Sequence, residues 1–294
     1  MFTSKRISRN VQEIRFKFPK TKKIHYILAL SDLHFDNPAC NRELLKDHLD
    51  EAIKRDAAIC VFGDFFCCMQ GSFDPRKCKG AIRPEDDYPD YFDRIVSNAA
   101  KWWKPYAKNL VVVCPGNHET AILKRQEIDL IDRFAMKMRD MGGITAAGGY
   151  GNFIRVFGNQ HSTRFSNVIY SHHGYGAGGA WSRQTTAFLK YLEQVEADIY
   201  IAGHIHKKET FPVERAYLNK AGNVRTKSIN FIRCGTYKNE FKDGAGGWAI
   251  EKGIGPRPLG GYWIEFTADK EGMKRKIYEA WNLVNFKYSL LSSA

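Results

Sequence analysis

Five short polar clusters carry most of the chemistry in this sequence: Asp32-Leu33-His34, Gly63-Asp64, Gly116-Asn117-His118-Glu119, His172-His173 and Gly203-His204-Ile205-His206. Carboxylate and amide oxygens mixed with imidazoles suit manganese, iron, zinc or nickel, whereas an all-oxygen set suits magnesium or calcium and thiolates suit structural zinc. The expected cofactor is therefore a pair of divalent transition-metal ions, with manganese the first choice. Two such ions about 3.5 to 4 Å apart can share a carboxylate and a hydroxide, lower the pKa of that water and clamp both the attacking and the leaving oxygen of a phosphoryl group. Phosphoester hydrolysis is the natural use of such a set.

Each cluster directly follows an apolar run. Ile24 to Ser31 and Ala57 to Phe62 read as buried strands, with helical spacing of Leu44, Leu45, His48, Leu49, Ala52 and Ile53 between them. Leu110 to Cys114 is a third strand, and Phe153 to Phe157, Val168 to Ser171 and Ile199 to Ala202 follow. Helices are predicted from the acidic segment Glu85-Asp86-Asp87 to about Tyr106, over Glu127 to Met141 and over Thr185 to Val195. The pattern is α/β. In open α/β sheets the ligand crevice lies beyond the carboxyl ends of the strands, so residues distant in sequence meet there. A single domain over 1–294 is expected, with an insertion at about 65–89 and a strand-rich C-terminal part at about 207–294 punctuated by glycine.

The five blocks, in this order, resemble the pattern DxH, GD, GNH(D/E), H and GHxH of the calcineurin-like metallophosphoesterases, over Asp32 to His206. The resemblance implies a four-layer αββα sandwich. Position by position, it implies that Asp32, His34 and His206 hold one metal, that Asn117, His172 and His204 hold the other, and that Asp64 bridges them. His172 is preferred to His173 because it sits where the predicted strand ends. His118 is the implied catalytic histidine, protonating the leaving oxygen, and Asp64 shares the catalytic role through the bridging hydroxide. Asn117, His118, His173 and Trp181 are the expected substrate contacts, the last from a glycine-rich loop, His173 to Ser182, that otherwise reads as a flexible connection. His25, His48 and His161 have no motif around them and read as structural or surface residues.

The sequence departs from the family in one place. Protein Ser/Thr phosphatases carry GDxxDRG, in which the second Asp orients the catalytic histidine and the Arg grips phosphate; here those positions are Cys67 and Cys68. The role of orienting His118 therefore falls elsewhere, with Glu119 one candidate, or is absent, and Cys67 reads as a packed thiol rather than a nucleophile or ligand. With Pro115 in place of the arginine that precedes GNHE in those phosphatases, the departure argues against a protein phosphatase. Gly63-Asp64-Phe65-Phe66 is similar to the GDLF of nuclease-type relatives.

Charge bears on the substrate. Lys and Arg outnumber Asp and Glu 45 to 32, for a net charge of +13, which favours polyanions over about a Debye length. The basic residues gather in two regions, Lys5 to Lys23 and Lys207 to Lys227. Nucleic acid or a nucleotide phosphodiester is the expected partner, making nuclease or phosphodiesterase the first reading; a small-molecule phosphomonoesterase with the same metals is the second, and a non-catalytic scaffold a distant third. The seven cysteines form no disulfide framework or paired CxxC site, no stretch reaches the roughly 20 apolar residues of a membrane helix, and the N-terminus lacks the apolar core of a secretory signal, so a cytoplasmic protein without membrane contact is expected. Val11 to Phe18 alternates like an edge strand, and Trp102, Trp103 and Tyr106 read as core rather than as a base-stacking platform.

Overall fold

The computed structural model describes residues 2–19, 23–68, 80, 82–160, 163–175, 181–241, 250, 253, 255–268 and 273–280. The βαβ opening forms as the apolar runs dictate: β3 (Ile24–Leu30), α1 (Arg42–Arg55) and β4 (Ala58–Phe62), followed by α2 (Tyr91–Trp103), β5 (Leu110–Cys114), α3 (Asn117–Gln126), α4 (Leu130–Asp140) and the short β6 (Ala146–Ala147). Asn41 starts α1 by accepting the Leu44 amide at 3.0 Å, and Asp56 closes it in a left-handed conformation. Leu45, Leu49 and Ala52 face the sheet fully buried. Truncating such a leucine costs about 2 to 5 kcal/mol.

Before this unit lies a hairpin, β1 (Phe2–Ser8) and β2 (Val11–Lys17); after it come β7 (Gly151–Gln160), β8 (Thr163–His172), α5 (Trp181–Gln194), β9 (Ile199–Ala202), β10 (Glu209–Leu218), β11 (Val224–Arg233), β12 (Tyr262–Ala268) and β13 (Met273–Glu279). The strands form two mixed sheets, a seven-stranded one in the order β1-β2-β7-β8-β9-β11-β10 and a six-stranded one in the order β13-β12-β3-β4-β5-β6. Ile14, Ile154, Ile169, Ile201 and Ile232 of the first meet Ile27, Cys60, Val112 and Ile264 of the second in the central core. The outer face of the six-stranded sheet packs on α1, α2 and α4. On the other side Phe188 and Tyr191 of α5 cover Tyr200 and Phe231 of the seven-stranded sheet. The order helix, sheet, sheet, helix is the expected αββα sandwich.

Several boundaries differ from the sequence reading. The helix expected to end at Tyr106 is α2 flanked by two 3-10 turns, Pro84–Asp86 and Lys104–Tyr106, because Pro84 and Pro105 fit only a first turn. The helix expected over Glu127 to Met141 begins later: Glu127 closes α3 in a left-handed conformation, and Asp129 caps α4 by accepting the Asp132 amide at 3.0 Å. The expected insertion begins inside the core, with Phe65, Phe66 and Cys68 packed there, while 69–79 and 81 lie outside the described residues. The C-terminal strands complete the six-stranded sheet, β12 pairing antiparallel with β3.

Candidate metal centre

The loops that leave the carboxyl ends of β3, β4, β5, β8 and β9 converge, bringing Asp32, His34, Asp64, Asn117, His118, His173, His204 and His206 together. The loops after β3 and β4 stay locked side by side beyond the sheet: Asp32, His34 and Phe35 amides donate to the carbonyls of Gly63, Asp64 and Phe65 at 3.0, 3.0 and 2.8 Å. Of the eight non-glycine residues with positive φ among those described, five are Asp32, His34, Asp64, His204 and His206. Left-handed backbone is costly for such residues and gathers where surrounding structure enforces it for function.

Two groups of donors stand next to each other. In the first, donor atoms of Asp32, His34 and His206 lie within 4.8 Å of one another, with the His34 and His206 Nε2 atoms 3.1 Å apart and His206 Nε2 3.4 Å from Asp32 Oδ1. In the second, Asp64, His173 and His204 meet the same limit, and Asn117 Oδ1 joins them, 3.2 Å from His173 Nε2 and 2.8 Å from His204 Nδ1. Asp64 Oδ2 lies 3.1 Å from His173 Nε2. Oxygen and imidazole donors converging at this spacing fit divalent metal ions.

The electrostatics point the same way. Burial lowers the basicity of His173, but the carboxylates of Asp64 and Asp32 outweigh it and push the imidazole up to about 10. Burial likewise opposes protonation of His206, yet Asp32 and Glu240 raise it to about 9. Asp64, despite burial, is held well below the usual carboxylate range by His173 and His118. The centre therefore has a field that favours a cation, proton or metal ion. Outer partners fix the rings: His173 Nδ1–H donates to the Phe62 carbonyl at 3.2 Å, and His206 Nδ1 lies 3.4 Å from Glu240, itself paired with Lys238 at 2.7 Å. Buried, Glu240 would ionise less readily, but His206 and Lys238 hold it down at about 2. Nothing in the motifs singled out Glu240, which follows β11 in a stretch without an apolar run.

The structure brings His173, not the expected His172, to these donors. β8 runs one residue further than the sequence predicts, and His172 is its last member, opposite Gly151. Strand side chains alternate between faces, so His172 turns to the outer side, where Tyr191 Oη lies 2.9 Å from its Nδ1 and the Gly174 amide donates to the same atom at 3.1 Å. Burial and the neighbouring imidazoles of His173 and His204 lower it to about 4. His173, expected as a substrate contact, takes the inner position. Its ring lies against Gly63, whose positive φ and lack of a side chain make room: a Cβ there would overlap the imidazole. At Gly203, across the centre, a Cβ would overlap Ser31 Oγ and Asp32 Oδ2.

His118, the second residue of α3, has Nε2 3.8 Å from Asp64 Oδ2, and its amide donates to Asp64 Oδ1 at 3.1 Å. Its Nδ1 is held by the backbone carbonyl of Cys67. Glu119 does not orient this ring, because its two oxygens accept the Phe66 and Gly116 amides at 2.7 and 2.8 Å, tying the β4 loop to the start of α3. Cys67 is buried and accepts the Asn37 amide at 3.4 Å, as a packed thiol, although its sulfur also lies within 4.8 Å of donor atoms on His34 and His118. Burial pushes its thiol up, away from a reactive thiolate.

Around the centre, Trp103 and Tyr106 are core residues packed with Phe35 and Phe65, not a stacking platform. His25 stacks on Phe16 with ring centroids 4.7 Å apart, and His48 meets the Tyr237 hydroxyl at 2.6 Å, both structural; His161 lies outside the described residues. Trp181 opens α5, but its side chain and residues 176–180 before it lie outside the described residues. Several basic residues are internally paired: Arg9 with Asp129, Arg15 with Glu13, Lys208 with Glu279 and Lys227 with Asp198. Arg215 and Arg225 are exposed on the β10–β11 hairpin. No helix among the described residues is long and apolar enough to cross a membrane.

The chain is similar to three solved structures among others. Vacuolar Protein Sorting 29 from Cryptosporidium parvum is 14% identical, with 88% of this chain and 99% of that one covered and a TM-score of 0.36. GAP50, the anchor in the inner membrane complex of Plasmodium, is 12% identical, with 88% and 85% covered and a TM-score of 0.40. Vps29 complexed with zinc from Entamoeba histolytica is 11% identical, with 86% and 98% covered and a TM-score of 0.32. No curated protein matches the chain. The profile of the calcineurin-like phosphoesterases matches residues 25–208, from the start of β3 past the last histidine of the centre. With the αββα layers and the donors at the strand ends, that match makes this chain a member of the calcineurin-like phosphoesterase family.

Proposed function

We propose that this protein hydrolyses phosphodiesters, in nucleic acid or nucleotides, at a centre of two divalent metal ions with manganese preferred. Asp32, His34 and His206 would hold one ion and Asn117, His173 and His204 the other, with Asp64 between them. The ions would supply positive charge against the phosphoryl oxygens and acidify a water. The observation that carries the reading is the placement of His118. Its Nδ1–H donates to the Cys67 carbonyl, while Nε2 lies 3.8 Å from Asp64 Oδ2 on the side of the metal donors. Protonated at both nitrogens, an imidazolium so fixed can deliver its Nε2 proton to a departing alkoxide oxygen, and the amino end of α3 beside it favours an anion.

Two features support a diester over a monoester. The position where protein phosphatases carry the phosphate-gripping arginine is Cys68, with its side chain buried in the core. A diester monoanion needs less cationic grip than a monoester dianion. The net charge of +13 favours a polyanionic substrate.

The test compares bis-p-nitrophenyl phosphate with p-nitrophenyl phosphate in Mn²⁺, with Asp64→Asn as control. Faster diester cleavage, lowered at least about a thousandfold by the substitution, roughly 4 kcal/mol of barrier, is the expected result. Cleavage of the monoester alone would move the reading to a small-molecule phosphomonoesterase. If metal stays undetectable after purification in supplemented buffer, the scaffold reading takes over. Affinity for nucleic acid should fall steeply with salt.

A further inference from the structure

We propose that Asp36 and Tyr91 are positioning residues for His118, holding the peptide between Cys67 and Cys68 so that its carbonyl takes the place of the carboxylate that orients the histidine in GDxxD relatives. The inference rests on the reading of His118 as the proton donor. Asp36 lies in the loop after β3, 2% exposed. Its Oδ1 accepts the Cys67 amide at 2.5 Å, and its Oδ2 accepts the Cys68 amide at 2.9 Å and the Tyr91 hydroxyl at 2.7 Å. All three donors are neutral. A buried carboxylate held this way is expensive compared with an apolar residue, so what it holds matters.

What it holds is the partner of His118. The Cys68 N–H and the Cys67 C=O belong to one planar peptide and point in opposite directions. Fixing the N–H on Asp36 therefore aims the C=O at His118 Nδ1. The charge on Asp36 also polarises that peptide, strengthening its carbonyl as an acceptor. The result is a carboxylate, a peptide and an imidazole in series, a carboxylate–histidine pair with one amide interposed. Cys68 sits at φ +54°, a conformation unusual for a non-glycine residue, as expected where the surroundings impose the peptide's orientation. Tyr91, from the first turn of α2, is buried, and burial and Asp36 raise its phenol, so it remains a donor and fixes the carboxylate from behind.

The experiment reads leaving-group dependence, which a merely structural role would not move. Purified protein with Mn²⁺ is assayed on two diesters that differ in the departing group, nitrophenolate in one and an alkyl alcohol in the other; only the second needs a proton. His118→Ala, Tyr91→Phe and Asp36→Asn are compared, with metal content measured for each. The expected result is that Tyr91→Phe and Asp36→Asn lose at least about tenfold more rate on the alkyl ester than on the nitrophenyl ester, in the direction of His118→Ala. Added to His118→Ala, Tyr91→Phe should cost little more on the alkyl ester, because the two act as one unit.

If His118→Ala is selective for the alkyl ester while Tyr91→Phe and Asp36→Asn lose equally on both, the positioning role is wrong and the proton-donor reading stands. If His118→Ala itself loses equally on both, the proton-donor reading falls and this inference with it. Should Asp36→Asn not fold, Tyr91→Phe, which removes a single hydroxyl, decides the question. If only monoesters are cleaved, nitrophenyl and alkyl monophosphates replace the two diesters and the same outcomes decide.

Discussion

The two halves of the metal centre are built from similar donors but held by different means. Around Asp32, His34 and His206 the support is charge: Glu240 lies 3.4 Å from His206 Nδ1 and is itself pinned by Lys238 at 2.7 Å. Around Asp64, Asn117, His173 and His204 it is backbone: the Phe62 carbonyl takes His173 Nδ1 at 3.2 Å, and Gly63 leaves room for the ring. A carboxylate partner raises ligand basicity and can be removed by one substitution, whereas a carbonyl partner is fixed by the fold. One half is therefore open to tuning by side-chain changes, and the other is tied to the register of β4 and β8.

The largest effect expected inside this comparison comes from the pair of adjacent histidines. His173→Ala removes a donor from the backbone-held half and should lower kcat/KM by about a hundredfold or more, with one metal ion lost per chain. His172→Ala breaks contacts with Tyr191 and Gly174 on the outer face and should cost less than about tenfold with metal content unchanged. Steady-state kinetics and metal analysis of the two variants check this. The reverse order would mean that β8 ends one residue earlier and that His172, not His173, faces the centre.

That same residue marks the limit of what the sequence could tell. β5 and β9 match the reading residue for residue, and β3 and β4 to within one residue, because these strands are apolar but for His25 and each run ends abruptly just before its polar motif. β8 has no such edge. Its last residues are polar while still paired with β7, so the apolar signal stops before the ladder does. In a structure of period two, one residue exchanges inner for outer.

The same cause hid other elements. β1, most of β10 and β13 lie at sheet edges with largely exposed or half-exposed side chains, so only pairing reveals them. α3 has no legible apolar face, because it begins on the GNHE motif itself, with mixed polarity and only Glu119 and Ile122 buried. Glu240 and Asp36 act across gaps that only the folded chain closes.

Glu240→Gln tests the charge-held half. It should weaken one of the two metal sites by about 10- to 100-fold and leave the other unchanged. Titration of Mn²⁺ by calorimetry would show two classes of site in the variant, with the tighter one lost in His173→Ala. Equal weakening of both sites would mean that the halves are not independent and that Asp64 transmits the loss between them.

The smallest effect, and the one that asks most of the contrast, is in pH. His173 is raised to about 10 and His206 to about 9 by the carboxylates that face them, both above the ordinary 6.5. A proton on a ligating nitrogen must leave when a metal binds. Metal affinity should therefore rise with pH between 7 and 9, by up to about tenfold per unit for each proton displaced. Folding stability in chelator should move the other way. Raised imidazoles contribute stability that is complete below about 6.5 and is lost as pH rises through 9 and 10. Thermal unfolding in EDTA and in Mn²⁺ across this range should give two lines that diverge with pH. In Glu240→Gln the His206 contribution falls while that of His173 stays, so the slope in EDTA should shrink between about pH 7 and 9 and persist between about 9 and 10. An unchanged slope at both would mean that Glu240 does not set the basicity of His206.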